Sequence, residues 1–488
     1  MAAILNFRTR FIFFLSLCLL VIVGFLYKAS NTLSVDPDAT YIQDIDVFKH
    51  IEYNISPDEK FLAYLPHSGY HNQRIALGNA LLLAKLLNRT LLLPPIMLGR
   101  PLPWGHFDKM HSRLSLSTKV GLEHCKDISE NYPLPAECLD YFSYTTVSWD
   151  FLFDMDSIRK WHRIIDRQDH NYEWLEKNLN INKDNDIYFI KDTTLFDYRI
   201  YDIPNSTIPY SRYLKKMEVV DLLAIDKKVI HFGSLFGIFR VVPELPTSLE
   251  DVIFIRKHLV PNNPFIQHIA ERIINHLGGN KNFIGLHIRV SDGFFVKFAR
   301  PNIDNIYHQI IDTFTKLSSQ EVDILEGGTH DRDILVDDTV DLGSSKHSDY
   351  FSNVKYPYQK VVDQTMLKEI KCRKSLHPTD KGVNTIIYIA TDAESPRTNP
   401  LLFKFFNTFP CVFVLDDFNH ELIELKNVRN VEDKTPLANY LIPILDAMIS
   451  AKGFHFYGTP RSTFSDYIEN ILHPLYSGKE LPINITSS

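Results

Sequence analysis

His287 and Arg289 lie two residues apart in the run Gly285-Leu286-His287-Ile288-Arg289 and set the first chemical expectation. Ile284, Leu286 and Ile288 alternate onto one face of a strand, so His287 and Arg289 share the other. At the C-terminal end of that strand they stand where doubly wound sheets bind ligands. A guanidinium is permanently charged and grips a phosphate with a two-pronged fork. A pyrophosphate leaving group needs such neutralisation as its bond to a sugar breaks. The same pattern also fits an ordinary strand with a salt-bridged arginine, so other segments have to agree.

Three segments do. Ser68-Gly69-Tyr70-His71-Asn72-Gln73-Arg74 joins an apolar strand to a Leu- and Ala-rich helix. Gly69 lets the backbone approach a ligand closely, and the helix start offers free N–H groups to an anion. Asn72 can both donate and accept. Thr391-Asp392 ends a second strand, and a carboxylate there can accept from guanine N1–H and its N2 amino group together, a donor pair adenine lacks. Thr459-Pro460-Arg461-Ser462-Thr463-Phe464-Ser465-Asp466 opens the last helix. Its hydroxyls and helix N–H groups form a phosphate cradle, and Thr463 and Asp466 also have capping-box spacing. Each segment alone reads equally as a polar turn or cap.

Taken in order, these segments resemble the GDP-fucose protein O-fucosyltransferase family. Asn72-Gln73-Arg74, an apolar helix, Leu86-Leu87-Asn88-Arg89-Thr90-Leu91 and Leu93-Pro94-Pro95 resemble its first motif. His287-x-Arg289 resembles the second, shared with α1,6-fucosyltransferases, and Thr391-Asp392 and Ser462-Thr463-Phe464-Ser465 resemble the third and fourth. The region from 110 to 250 matches only loosely. The resemblance implies a GT-B fold, GDP-fucose as donor, inversion at the sugar carbon, and no metal or other cofactor. It places Arg289 on the β-phosphate as the main catalytic residue, with His287 touching the nucleotide or supporting Arg289. Asp392 would read guanine. Ser462, Thr463 and Phe464 would hold the phosphates and line the nucleotide pocket, while Asn72 would touch donor or acceptor near the reacting carbon; Gly69 joins the expected GDP-fucose site through the close backbone approach it permits. Some members carry a Glu in the first-motif loop as base; this chain has Ser68 there and His71 where Gly or Asn is usual. His71 is therefore the candidate base, its side chain type being able to take a proton near neutral pH.

The elements that must position these residues read as alternating strands and helices, an α/β fold with parallel sheets. Phe61 to Leu65 is a strand, Pro66 to Arg74 a polar loop, Ile75 to Leu87 a buried helix and Thr90 to Leu93 a strand: one βαβ unit. Pro95 to Trp104 reads as a proline-rich loop suited to acceptor contacts. Later, Ile266, Ile269, Ala270, Ile273, Ile274 and Leu277 fall at helical spacing before Gly278 and Gly279. Strands are expected at Asn282 to Val290, Thr385 to Ala390, Cys411 to Leu415 and Phe454 to Tyr457. The expected plan is two Rossmann-like domains, 56–250 on the acceptor side and 251–488 on the GDP-fucose side. The second carries an acidic insertion at 318–353 that lacks periodicity.

Residues 11–27 carry no charge and reach roughly 25 Å as a helix, near the lower limit for a membrane span. Arg8 and Arg10 precede them, which makes 1–10 a cytosolic tail, 11–27 a signal anchor, 28–55 a stem and the body lumenal. A cleaved signal peptide is the alternative, but no small-x-small site follows the run. The expected setting is a single-pass type II protein of the Golgi or ER membrane. Beyond Cys18, four cysteines remain for an oxidising lumen. Three connectivities are open; Cys125–Cys138 and Cys372–Cys411 need only local closure. Sequons mark Asn54, Asn205 and Asn484 for glycosylation, while Asn88, directly after an apolar helix, is expected to be too buried. A net charge of -7 without basic runs argues against nucleic acid as a partner. Four Asp-x-Asp pairs, beginning at Asp44, Asp154, Asp184 and Asp331, follow no convincing apolar strand and read as solvated carboxylates rather than metal ligands. Three functions are compatible with this pattern: fucosyl transfer to protein Ser or Thr, transfer to a glycan, and an inactive nucleotide-sugar-binding lumenal protein.

Overall fold

The computed structural model describes residues 54–128, 132–291, 293–327, 339–341, 371–373 and 381–485. The expected tail, anchor and stem up to residue 53 lie outside the described residues. Among the described residues, no helix is long and apolar enough to cross a membrane.

The first half is built on five short strands, β1 (Phe61–Ala63), β2 (Thr90–Leu93), β3 (Ile164–Asp166), β4 (Ile187–Ile190) and β5 (Val229–Phe232). They lie parallel in the order β3-β2-β1-β5-β4. β1 and β2 are buried along their whole length, as expected of strands covered on both faces and so apolar without alternation. Helix α1 (Tyr70–Leu86) covers the sheet with Leu77, Ala80, Leu81 and Ala84. The chain runs outward from β1 to β3 and then resumes on the other side, first with β4 at the far edge and then with β5 against β1. The turn leaving β1 therefore opens at the crevice where α/β sheets take ligands.

The second half repeats this plan. β6 (Ile284–Ile288), β7 (Ile387–Thr391), β8 (Val412–Val414) and β9 (His455–Gly458) are parallel in the order β8-β7-β6-β9. The turns leaving β6 and β9 flank the corresponding crevice. Helix α2 (Pro246–His258) packs on α1, whereas α3 (Pro264–His276) packs on α5 (Ala438–Ala451), so the chain passes between the halves at residues 259–263. α4 (Gly293–Phe314) follows β6, and the short α6 (Thr463–Tyr467) follows β9. α5 approaches β6 so closely that a Cβ at Gly285 would sit 2.0 Å from the Ser450 carbonyl oxygen. One apolar cluster runs from Leu62 and Leu81 to Leu441 and Ile449, so both halves share a core.

The structure corrects several sequence expectations. α1 begins at Tyr70 rather than Ile75, taking part of the expected loop as its first turn. The polar types there concealed burial: Gln73 is buried, and its amide both donates to Met97 O (2.8 Å) and accepts from Met97 N (2.9 Å). Within the expected proline-rich loop, Ile96–Gly99 is a strand paired antiparallel with Tyr144–Val147. Ser319–Gly327 of the acidic insertion is a helix. Asn88 is exposed, not buried, because it ends α1 in the left-handed region at φ 49°, which Asn tolerates. Asn54, Asn205 and Asn484 are exposed as well. Disulfides join Cys125 to Cys138 and Cys372 to Cys411.

Candidate active site

His287, near the end of β6, is buried. Its Nδ1 lies 2.6 Å from Ser465 Oγ, and its ring 4.3 Å from that of Phe464. Its carbonyl accepts from both Thr459 N and Thr459 Oγ1 at 3.0 Å, and Thr459 Oγ1 in turn accepts from Arg289 N at 2.9 Å. The turn after β9 thus fixes the backbone carrying both motif residues. Burial first, and the Arg289 charge second, push the His287 pKa down to about 3. The imidazole is therefore neutral at physiological pH and serves as a fixed wall. Ser465→Ala removes its hydrogen-bond partner, a loss of about 0.5–1.5 kcal/mol, and is expected to weaken GDP affinity several-fold in calorimetry without moving the pH profile.

Arg289 is half-buried, with Nε 3.9 Å from Asp392 Oδ2 and Cζ 4.5 Å from the Phe295 ring centre. Asp392 accepts from Val290 N (2.7 Å) and Ser291 N (3.3 Å). The carboxylate expected at guanine thus also clamps the turn that presents Arg289. Ser462 rather than Thr463 caps α6, its Oγ accepting from Ser465 N at 3.4 Å. This leaves the Thr463 hydroxyl to donate to Asn72 Oδ1 at 3.2 Å, across the two halves.

His71 sits beside that bond, its ring 4.8 Å from Phe464 and 5.3 Å from Tyr467. Neither ring nitrogen has a partner among the described residues. Burial, then the nearby charges of Arg74, His287 and Arg289, hold its pKa well below the ordinary value. It is a neutral acceptor of low basicity. Gly69 is exposed, with open space where a side chain would stand.

The structure thus brings Asn72, His71, Thr463, Phe464 and His287 into one constellation, with Arg289 and Asp392 at its edge. Sequence reading missed what stands behind Ser68, a residue in the left-handed region at φ 64°. Ser68 Oγ lies 2.8 Å from His67 Nδ1, and His67 Nε2 lies 2.7 Å from Ser234 Oγ. Ser234 N donates to Asp192, which pairs at 2.9 Å with Arg240, both being fully buried. Nothing in local spacing signals a link between residues 167 positions apart. Asp192→Ala would leave the Arg240 charge buried and uncompensated; a loss of about 3–5 kcal/mol is expected in urea unfolding.

Among the described residues, His124, Cys125 and Cys138 are the one group with metal-ligand proximity, and both sulfurs are spent in the disulfide. Asp154 caps the helix Met155–Trp161, while Asp184 and Asp186 are exposed or half-exposed on a four-residue helix. The pairs beginning at Asp44 and Asp331 lie outside the described residues.

The family model of GDP-fucose protein O-fucosyltransferase matches residues 61–472, which contain His71, Asn72, His287, Arg289, Asp392, Thr463 and Phe464. The chain belongs to that family. Within the O-fucosyltransferases, a 39-residue stretch is 59% identical to O-fucosyltransferase 30 of Arabidopsis thaliana, a match spanning 8% of each chain. Among solved structures, POFUT1 in complex with GDP aligns over 88% of this chain and 98% of its own at 13% identity, with a TM-score of 0.36. POFUT1 in complex with GDP-fucose aligns over the same shares at 14% identity and a TM-score of 0.34.

Proposed function

We propose that this O-fucosyltransferase family member moves fucose from GDP-fucose to the hydroxyl of a protein Ser or Thr, with inversion and without a metal. The carrying observation is the Arg289 guanidinium on the strand-end turn at the crevice of the second sheet, inside the span that the family model matches. As the bond between fucose C1 and the β-phosphate oxygen breaks, Arg289 takes up the developing charge. The acceptor oxygen attacks from the opposite face, which inverts the carbon. Asn72, anchored by Thr463, orients the reacting groups, and neutral His287 braces the wall behind. His71 is the side chain nearest in type to a base. Its depressed pKa means that it accepts the acceptor's proton only late, once the bond to the leaving group is largely broken. The body is placed in the Golgi or ER lumen, tethered by residues 11–27 as a type II anchor. The exposed sequons and the two disulfides are in keeping with that setting.

Calorimetric titration of the purified protein with GDP, GDP-fucose, GDP-mannose and UDP, without added metal, tests the reading. Guanine-selective binding that is lost in Arg289→Ala supports it. A folded protein that binds no GDP overturns it.

A further inference from the structure

Between α1, α2 and the end of α6 lies a cavity of about 80 Å³ whose polar lining is dominated by two guanidiniums, Arg74 and Arg256. Arg74 is buried, and its Cζ lies 3.8 Å from the Tyr467 ring centre. Its Nε is shielded from solvent without a partner, and no hydrogen bond or ion pair engages its guanidinium among the described residues. Arg256 has one N–H on Pro482 O at 2.9 Å and its Cζ 4.8 Å from the Phe239 ring. The other polar lining groups are Asn79 and Asp466. The Asn79 amide N–H groups are spent on Leu235 O and Gly237 O, and its oxygen accepts from Val241 N. Asp466 accepts from Asn470 at 2.9 Å and forms no ion pair with either arginine among the described residues.

A buried guanidinium demands an acceptor for its fork of donors, and stacking on one aromatic face replaces only part of its lost hydration. Two such forks around one small cavity, against a single carboxylate, leave the space electropositive. We propose that this cavity binds a small oxyanion of the sulfate or phosphate type, held between Arg74 and Arg256. The site is separate from that of Arg289. It joins α1 and α2 of the first half to α6 of the second, two residues along α1 from Asn72. A bound oxyanion therefore ties together the helices that carry the Asn72–Thr463 bond.

The test is calorimetric titration of sulfate into the full-length protein at constant ionic strength, with and without saturating GDP. The proposal expects one sulfate per chain under both conditions. It expects affinity to weaken by about 10-fold or more in Arg74→Gln and in Arg256→Gln, the loss of a charge-assisted bond, and to be unchanged in Arg289→Ala. Arg256→Gln, on a half-buried side chain, keeps the test open if Arg74→Gln fails to fold. Three outcomes overturn it: no saturable sulfate binding, which would mean a water-filled cavity; binding indifferent to both arginine variants; or binding abolished by GDP or by Arg289→Ala, which would put the ion in the donor site.

Discussion

Arg289→Ala is expected to lower fucosyl turnover by about three orders of magnitude while leaving the fold intact. Removing one preorganised donor at a developing anion costs about 10²–10³ in rate, and an arginine dedicated to a transferring phosphoryl group can account for about 10³–10⁵. The guanidinium is half-exposed, and its ion pair with Asp392 is long at 3.9 Å, so little folding energy depends on it. Asp392 keeps its two backbone donors in the variant, which leaves the turn after β6 held. Arg289→Lys should recover only a small part of the rate, because an ammonium presents a point charge where a planar fork is needed. Turnover of Arg289→Ala within about tenfold of the parent, against the loss expected of such a group, would remove Arg289 from the reaction.

Stability is expected to fall steeply as the pH drops below about 6.5, the unperturbed histidine value. Burial pushes the His67 pKa down to about 4 and that of His287 to about 3, and holds His71, His170 and His231 well below the ordinary value. In the unfolded chain these rings take a proton near pH 6.5; in the folded protein they do not. From 6.5 down to each folded value, the unfolded state binds the extra proton, and each ring withdraws up to about 1.4 kcal/mol per pH unit. Asp446 works the other way. Burial raises its pKa to about 7, so between that value and 3.8 the folded state holds a proton that the unfolded chain lacks. Burial raises Asp166, Asp169, Asp192 and Glu469 as well, but it also lowers His111, His162, His455 and His473, so the imidazoles outnumber the carboxyls. Urea midpoints measured from pH 8 to pH 4.5 should therefore be flat above 7 and decline below 6.5. A flat profile throughout, or assigned imidazole resonances of His67, His71, His170, His231 and His287 titrating near 6.5 in the folded protein, would contradict the burial described for these rings.

Much of this architecture is legible in the sequence. Continuous apolar runs marked β1, β2, β6 and β7, and the turns after β1, β6, β7 and β9 carried the residues that meet in the site. Spacing on one strand suffices to pair His287 with Arg289. What stayed hidden depends on partners distant in sequence. Gln73 and Arg74 look like loop residues until the Met97 backbone and the Tyr467 ring arrive to cover them. Asp392 gave the signature of a ligand contact, yet its oxygens also hold the neighbouring turn. The cap of α6 moved by one residue because Thr463 is drawn to Asn72, 391 positions earlier. His67 carried no signal at all, since its meaning comes from Ser234, just past the end of the neighbouring strand β5 and distant only in sequence.

The bond between Asn72 and Thr463, the packing of His71 on Phe464 and the stacking of Arg74 on Tyr467 fasten α1 to α6. With a common apolar core beneath, the halves are already fastened to each other beside the site among the described residues. The heat-capacity change on GDP binding should then reflect only the surface that the ligand itself covers, with no added contribution from domain closure. Association should proceed in a single kinetic phase, because the receiving geometry exists before the ligand arrives.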